Sequence, residues 1–231
     1  MSFVSSRLTT EQLRGLYQGK YVTHHLNQPI YRISRLLPYL KLRKTDIVAD
    51  FGCGNGILLH VIHDRIARYL GVDWSEEFIA VAKSRCEAMN IDNALFECAD
   101  ITDFCHRNKA SFDKAFTMDL SEHIYDEDFV PIYTAIWQSL KPGGTLYLHT
   151  PNATYLLEIL KRKGIMRQFP EHVAVRNADE NIQLLAKAGF SSVTVHYLSH
   201  YVRPLSSLHF LSRIPVVGRL FQARLLIECV K

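Results

Sequence analysis

Residues 46–51 (DIVADF) run straight into Gly52-Cys53-Gly54-Asn55-Gly56, and this junction constrains the fold more than any other stretch of the chain. A short β-branched apolar run suits a buried strand, and glycine at every second position then makes a turn. Helical spacing follows at Leu58, Val61, Ile62 and Ile66. The alternation then repeats. Strands are predicted at 69–73, 94–98, 112–118, 145–150, 193–198 and 225–230, with a helix capped by Ser75 and further helices at 129–140 and 179–188. Lys141-Pro142-Gly143-Gly144 reads as a turn before the fifth strand, and Gly189 as a helix stop. The first forty residues read as helical, starting at Thr9 or Thr10 ahead of Glu11. Strands alternating with helices imply an α/β fold, a mostly parallel sheet covered on both faces.

Composition removes several other classes. Of 231 residues, 48% are hydrophobic and 22% charged, with 27 basic against 23 acidic side chains. That is ordinary for a soluble globular chain, and the whole of 1–231 is expected to form a single domain. Five cysteines, an odd number without a C-x-x-C pair, argue against a disulfide scaffold or a zinc ribbon and for a reducing cytoplasm. The basic clusters Lys41, Arg43, Lys44 and Lys161, Arg162, Lys163, Arg167 read as solvated faces, so nucleic acid is not the expected partner. No apolar run is long enough for a membrane span, and no secretory signal is expected at the start.

Ligands of such sheets bind beyond the carboxyl ends of the strands, where strand order reverses. The glycine turn is therefore the place to look. Its spacing is not the dinucleotide G-x-G-x-x-G, because position 57 is Ile. Asp50 stands just ahead of the turn, which suits a cationic ligand better than a phosphate. Further acids close the second strand (Asp73) and follow the third (Ala99-Asp100-Ile101). Taken alone, these acids read equally well as helix or turn caps.

D-x-G-x-G-x-G after a strand, Asp73, Ala-Asp-Ile and KPGG, in that order, resemble the class I S-adenosylmethionine-dependent methyltransferases over roughly residues 45–150. The resemblance implies a doubly wound, Rossmann-like sheet of seven strands. It also implies that Gly52 and Gly54 let backbone approach the methionine part of the cofactor, with Asp50 just ahead of them. Asp73 would take the ribose hydroxyls and Asp100 the adenine amino group, with Ile101 and Trp74 against the ring. Met118 and Asp119 would lie near the sulfonium.

Residues 119–124 (DLSEHI) would carry the chemistry. If a helical turn forms there, Asp119, Glu122 and His123 share one face at i, i+3 and i+4. The pattern resembles the E-x-x-E-H of ubiquinone-biosynthesis O-methyltransferases and of small-RNA 3′-end 2′-O-methyltransferases. That likeness implies a divalent cation such as Mg²⁺ on Asp119, Glu122, His123 and His172, although Asp in place of the first Glu shortens the reach. Without a metal, Glu122 pairs locally, and His123 is a base or a pocket wall. Lys20 stands roughly where the leader of the ubiquinone enzymes carries an arginine to the cofactor carboxylate.

Residues 1–44 are expected to form a helical cover, and 152–172 and 199–222 to be lids or substrate insertions. Contact with a membrane surface and ordinary core packing are the other readings of those two segments. The expected activity is methyl transfer to a hydroxyl of a small-molecule acceptor. Nitrogen or carbon acceptors, or a catalytically silent cofactor-binding subunit, are the alternatives. No motif identifies the acceptor or the oligomeric state.

Overall fold

A computed structural model describes residues 8–26 and 28–231. Three short helices open it, α1 (Thr10–Leu16), α2 (Lys20–Leu26) and α3 (Tyr31–Ser34), interrupted at Gly19 and Pro29. Thr9 starts the first by a reciprocal cap. Its hydroxyl accepts from the Gln12 amide at 3.2 Å, and the Gln12 side chain accepts from the Thr9 amide at 2.8 Å. Then follow β1 (Ile47–Phe51), α4 (Ile57–Ile62), β2 (Arg68–Asp73), α5 (Glu76–Ala88), β3 (Ala94–Cys98), α6 (Ile101–Arg107) and β4 (Phe112–Met118). After these come α7 (Asp126–Ser139), β5 (Leu140–Pro151), α8 (Leu156–Arg162), α9 (Ala178–Lys187), β6 (Ser191–Leu198) and β7 (Arg224–Val230).

The seven strands lie in the order β3-β2-β1-β4-β5-β7-β6, with β7 antiparallel to both neighbours and the others parallel. From β1 the chain winds out to β3, then crosses back to β4. The reversal therefore sits between β1 and β4, and the crevice opens at their carboxyl ends. The doubly wound sheet anticipated from the sequence is present.

Burial on both faces explains why β1 reads as a continuous apolar run. Ala49 and Phe51 pack with Phe104, Phe112, Phe129 and Ile136 on one face. Val48 packs on the other with Leu36, Leu58, Phe116 and Tyr147. Gly71 in β2 is dictated by space, since a Cβ there would lie 2.7 Å from the Phe96 ring. Ser75 caps α5 by accepting from the Phe78 amide at 3.3 Å, as its position predicted.

Some local expectations differ. Lys141-Pro142-Gly143-Gly144 does not separate helix from strand. It bulges out within β5, because Phe112 pairs with Leu140 and Lys114 already with Thr145, leaving the intervening residues surplus to the ladder. Helix α7 begins at Asp126, ahead of the expected 129, and three acids in its first turn suit the helix's positive end. The helical spacing after Gly56 ends at Ile62, and a 3₁₀ turn (His63–Arg65) leads into β2. Within 199–222 the chain forms 3₁₀ turns at Leu205–Arg213 and Gly218–Phe221. Among the described residues no helix is long and apolar enough to cross a membrane.

Candidate functional site

A cavity of about 570 Å³ opens over the carboxyl ends of β1, β2 and β4 and runs on to Tyr201 and Arg224. Its floor is the glycine turn. The amides of Gly52 and Cys53 both donate to the Val72 carbonyl, at 2.8 and 3.0 Å, folding the turn over the end of β2. Gly52 and Gly54 hold φ of +70° and +51°, which side chains resist. Asp73 ties this turn to the next helix: its carboxylate accepts from the Gly54 amide and the Ser75 amide, each at 2.9 Å. Burial raises its pKa, and those amides partly offset the rise. Each carboxylate oxygen keeps a lone pair for a hydroxyl donor.

Asp50 is almost fully buried at the end of β1. Tyr69 donates to one oxygen at 2.5 Å, and the other oxygen is buried and finds no partner among the described residues. Desolvation pushes its pKa up to about 7. An orphaned carboxylate oxygen on a cavity wall fits a ligand's ammonium group and would repel a phosphate. Asp100 caps α6, accepting from the Thr102 amide at 2.8 Å and the Asp103 amide at 3.3 Å through one oxygen. With Trp74, Ile101 and Met118 it lines the same cavity. The residues present therefore fit a cationic, ribose-bearing cofactor. Lys20 opens α2, but its side chain lies outside the described residues.

Beyond β4 the expected helical face does not form. Asp119 takes φ +57°, and Ser121–His123 make a 3₁₀ turn. Consequently Asp119 does not join Glu122 and His123. One of its oxygens accepts from Arg32 and the other from Arg224 at 2.6 Å. The His149 ring, fully buried, places Nδ1 2.9 Å from that second oxygen without hydrogen-bonding alignment, and desolvation holds its pKa well down.

Glu122, His123 and His172 do converge, with one ligating atom from each within 4.8 Å of the others. Glu122 is buried and accepts from the Thr150 hydroxyl at 3.1 Å. Desolvation raises its pKa against the pull of Arg224. His123 Nδ1 lies 2.9 Å from both the Tyr17 hydroxyl and the Glu171 carbonyl. A carbonyl only accepts, so Nδ1 carries the proton and Nε2 keeps its lone pair. Desolvation pulls the His123 pKa down to about 4, and desolvation with the neighbouring His123 ring takes His172 down to about 2. Both imidazoles are neutral at physiological pH.

Arg176 holds this turn in place. Its guanidinium donates to the carbonyls of Ser121 and Ile124, each at 2.7 Å, and to Asp126 at 2.8 Å. Arg176, Arg224, Tyr17 and Tyr201 escaped the sequence reading. The one available signal was an arginine opening the run RLLIECV, which is apolar apart from it and Glu228.

A family model described as a methyltransferase domain matches residues 48–144. A ubiquinone biosynthesis O-methyltransferase of Acinetobacter baumannii (strain AYE) is 28% identical over 127 residues, 54% of this chain and 53% of that protein. One of the same description from Coxiella burnetii (strain Dugway 5J108-111) is 30% identical over 157 residues, 66% of this chain and 64% of its own. The chain thus spans about half to two thirds of the length of these relatives. In fold it resembles a SAM-dependent methyltransferase from Archaeoglobus fulgidus, with a TM-score of 0.71 at 18% identity, covering 92% of this chain and 100% of that one. It also resembles the Haemonchus contortus phosphoethanolamine N-methyltransferase 2 in complex with S-adenosyl-L-methionine, with a TM-score of 0.69 at 16% identity, covering 98% and 60%.

Proposed function

We propose, from the premise that the chain belongs to the class I S-adenosylmethionine-dependent methyltransferases, that it methylates a hydroxyl group of a small-molecule acceptor. One observation carries the choice of a hydroxyl. A neutral, half-buried imidazole, His123, lines the same cavity as the Asp50–Asp73 floor, with Nε2 as its remaining acceptor. A hydroxyl must lose its proton as it attacks, and a positioned base contributes to that step.

When bound, the cofactor supplies an electrophilic methyl group on sulfur. The residues do the rest. Gly52 and Gly54 admit it closely, Asp73 takes its ribose hydroxyls, and the free oxygen of Asp50 takes its amino group. Asp100, Ile101 and Trp74 bound the adenine, and Met118 closes the wall near the sulfur. His123 takes the acceptor's proton at Nε2, while the Glu171 carbonyl fixes its tautomer. Alignment of the hydroxyl in this cavity supplies much of the barrier reduction. The relatives' names, which specify O-methylation, support this reading.

A second reading rests on the convergence of Glu122, His123 and His172. A carboxylate and two neutral imidazoles suit a divalent cation that would lower the pKa of a bound hydroxyl. Asp119 is outside that set because two arginines occupy it.

Isothermal titration with S-adenosylhomocysteine tests the main reading. Saturable binding is expected, weakened about a hundredfold in Asp73→Ala, as loss of two hydrogen bonds to a charged group implies. Unchanged binding in that variant overturns it. Transfer of a labelled methyl group to hydroxyl rather than amine acceptors tests the choice of atom. Loss of turnover with chelator and its return with Mg²⁺ favours the metal-assisted form.

A further inference from the structure

The crossover between β6 and β7 leaves apolar side chains outside the protein. Val202, Leu208, Phe210, Ile214, Val216 and Val217 are all at least 43% exposed, Phe210 at 67% and Val216 at 86%. Single exposed hydrophobic residues are ordinary, but six large ones within sixteen positions are not. Arg203, Arg213 and Arg219 are exposed among them. No aspartate or glutamate occurs from Ser199 to Arg224, although the chain averages about one acid every ten residues.

The segment is held in this shape. The Gly218 amide donates to the Ile214 carbonyl at 2.8 Å, and a Cβ at Gly218 would lie 2.3 Å from the Ser212 carbonyl oxygen. Val216, at the tip, sits at φ +69°. A β-branched residue in that region is strained, so the backbone spends stability to point a valine into solvent.

A second surface of the same character adjoins it. The rings of Tyr155 and His200 are 6.2 Å apart, which sets the start of α8 beside the start of the crossover. After α8, Ile165, Met166 and Phe169 are 68, 40 and 50% exposed, near the exposed Arg162, Lys163 and Arg167. The acid in this stretch, Glu158, is buried and paired with Lys161 at 2.6 Å.

We propose that the β6–β7 crossover is a docking surface for an anionic lipid bilayer, with Phe210 and Val216 entering the interface and Arg203, Arg213 and Arg219 meeting the headgroups. Exposed apolar side chains interspersed with exposed arginines along an acid-free segment match the two attractions such a surface offers. A second copy of the chain matches them poorly, because a two-fold contact would set the same arginines against one another. The cavity residues Phe169 and Tyr201 belong to these two segments, so docking would bring the cavity rim to the membrane. The inference does not rest on the identity of the methyl acceptor.

Co-sedimentation of the full chain with vesicles tests it. The chain is expected to pellet with phosphatidylcholine vesicles containing phosphatidylglycerol, far less with phosphatidylcholine alone, and progressively less as salt rises. An Arg213→Gln, Arg219→Gln variant should bind anionic vesicles about 25-fold more weakly, at roughly fivefold per arginine. Phe210→Ser with Val216→Ser should lose about tenfold or more through lost apolar burial. Both variants should keep the wild-type melting temperature and S-adenosylhomocysteine titration, since these side chains contact solvent. The wild-type salt series gives an independent reading should a variant fold poorly. Equal pelleting with both vesicle types, or none with either, overturns the proposal. So does a concentration-dependent dimer that the same variants abolish.

Discussion

His123 shows how burial prepares one side chain for its task. Desolvation lowers its pKa from 6.5 to about 4, and the Glu171 carbonyl fixes the proton on Nδ1. The ring is thus a base throughout the neutral range. His123→Gln is expected to lower kcat by about 10²–10⁴, the usual worth of a positioned base, while S-adenosylhomocysteine still titrates normally. The acid limb of the wild-type rate profile should fall near pH 4 and not near 6.5. Asp50 has the opposite problem: a carboxyl whose pKa is raised from 3.8 to about 7. Between those values the folded protein holds a proton that the unfolded chain has released, so the stability it contributes is lost as pH rises through 7. His123 acts with the opposite sign, its contribution being lost as pH falls from 6.5 towards 4. The Asn variant, not the wild-type curve, therefore isolates Asp50. An ammonium beside Asp50 favours the carboxylate, so the cofactor product should bind several-fold more tightly as pH rises from about 6 to about 8. Titrations of Asp50→Asn at the same pH values should be flat.

At the scale of elements, the turn from 119 to 124 shows what local pattern carries and what it omits. The adjacency of Glu122 and His123, and the arrival of His172, were legible as residue types at suggestive positions. Their geometry was not, because the i, i+3, i+4 rule holds for an α-helix and this segment is a left-handed residue followed by a 3₁₀ turn. Asp119 was misassigned for a related reason. Its partners, Arg32 and Arg224, lie 87 and 105 positions away, beyond any periodicity. Arg176 is the clearest case of a support hidden in sequence, since two of its three partners are backbone carbonyls, which leave no mark on residue type, and the third, Asp126, lies 50 positions away. Arg176→Ala takes the donor from the Ile124 carbonyl and leaves the Ser121 carbonyl only the 3.3 Å bond from the Ile124 amide, at about 1–3 kcal/mol for the unsatisfied carbonyl. Thermal melts should show that destabilisation, together with a fall in kcat as the His123 turn loosens. Arg176→Lys should recover only part of it, because an ammonium lacks the planar fork that serves both carbonyls.

Across the whole molecule, the mostly parallel, two-sided sheet followed from alternation, because each strand–helix unit is written in contiguous residues, whereas its doubly wound, seven-stranded form was what the family resemblance implied. What contiguous pattern could not show is how the N-terminal helices close over the crevice. Tyr17, Tyr21 and His25 line the cavity from α2 and the turn before it. Besides the Tyr17–His123 contact, polar bonds reach the cover from the rest of the domain. The Gly19 amide donates to Glu77 at 2.9 Å, Asn55 to the His25 carbonyl at 2.7 Å, and Arg85 to the Leu26 carbonyl at 2.8 Å. Helices α1 and α2 have seven residues each, too few to persist without packing. A cofactor beneath them adds the surface they lack, so binding and ordering of the cover should be linked. Hydrogen exchange in residues 10–26 should slow on adding S-adenosylhomocysteine, while β5 and β7, already buried in the sheet, should change little. Arg85 does not itself line the cavity, but it also donates to the carbonyl of the cavity residue Asn55 at 3.3 Å, so Arg85→Ala loosens both the cover and the glycine turn beneath it. The cofactor product should then dissociate about three- to tenfold faster, the worth of one hydrogen bond from a charged donor when partly exposed. Equal exchange with and without ligand in 10–26, alongside saturable binding, would show that the cover is a fixed wall and not a ligand-linked lid.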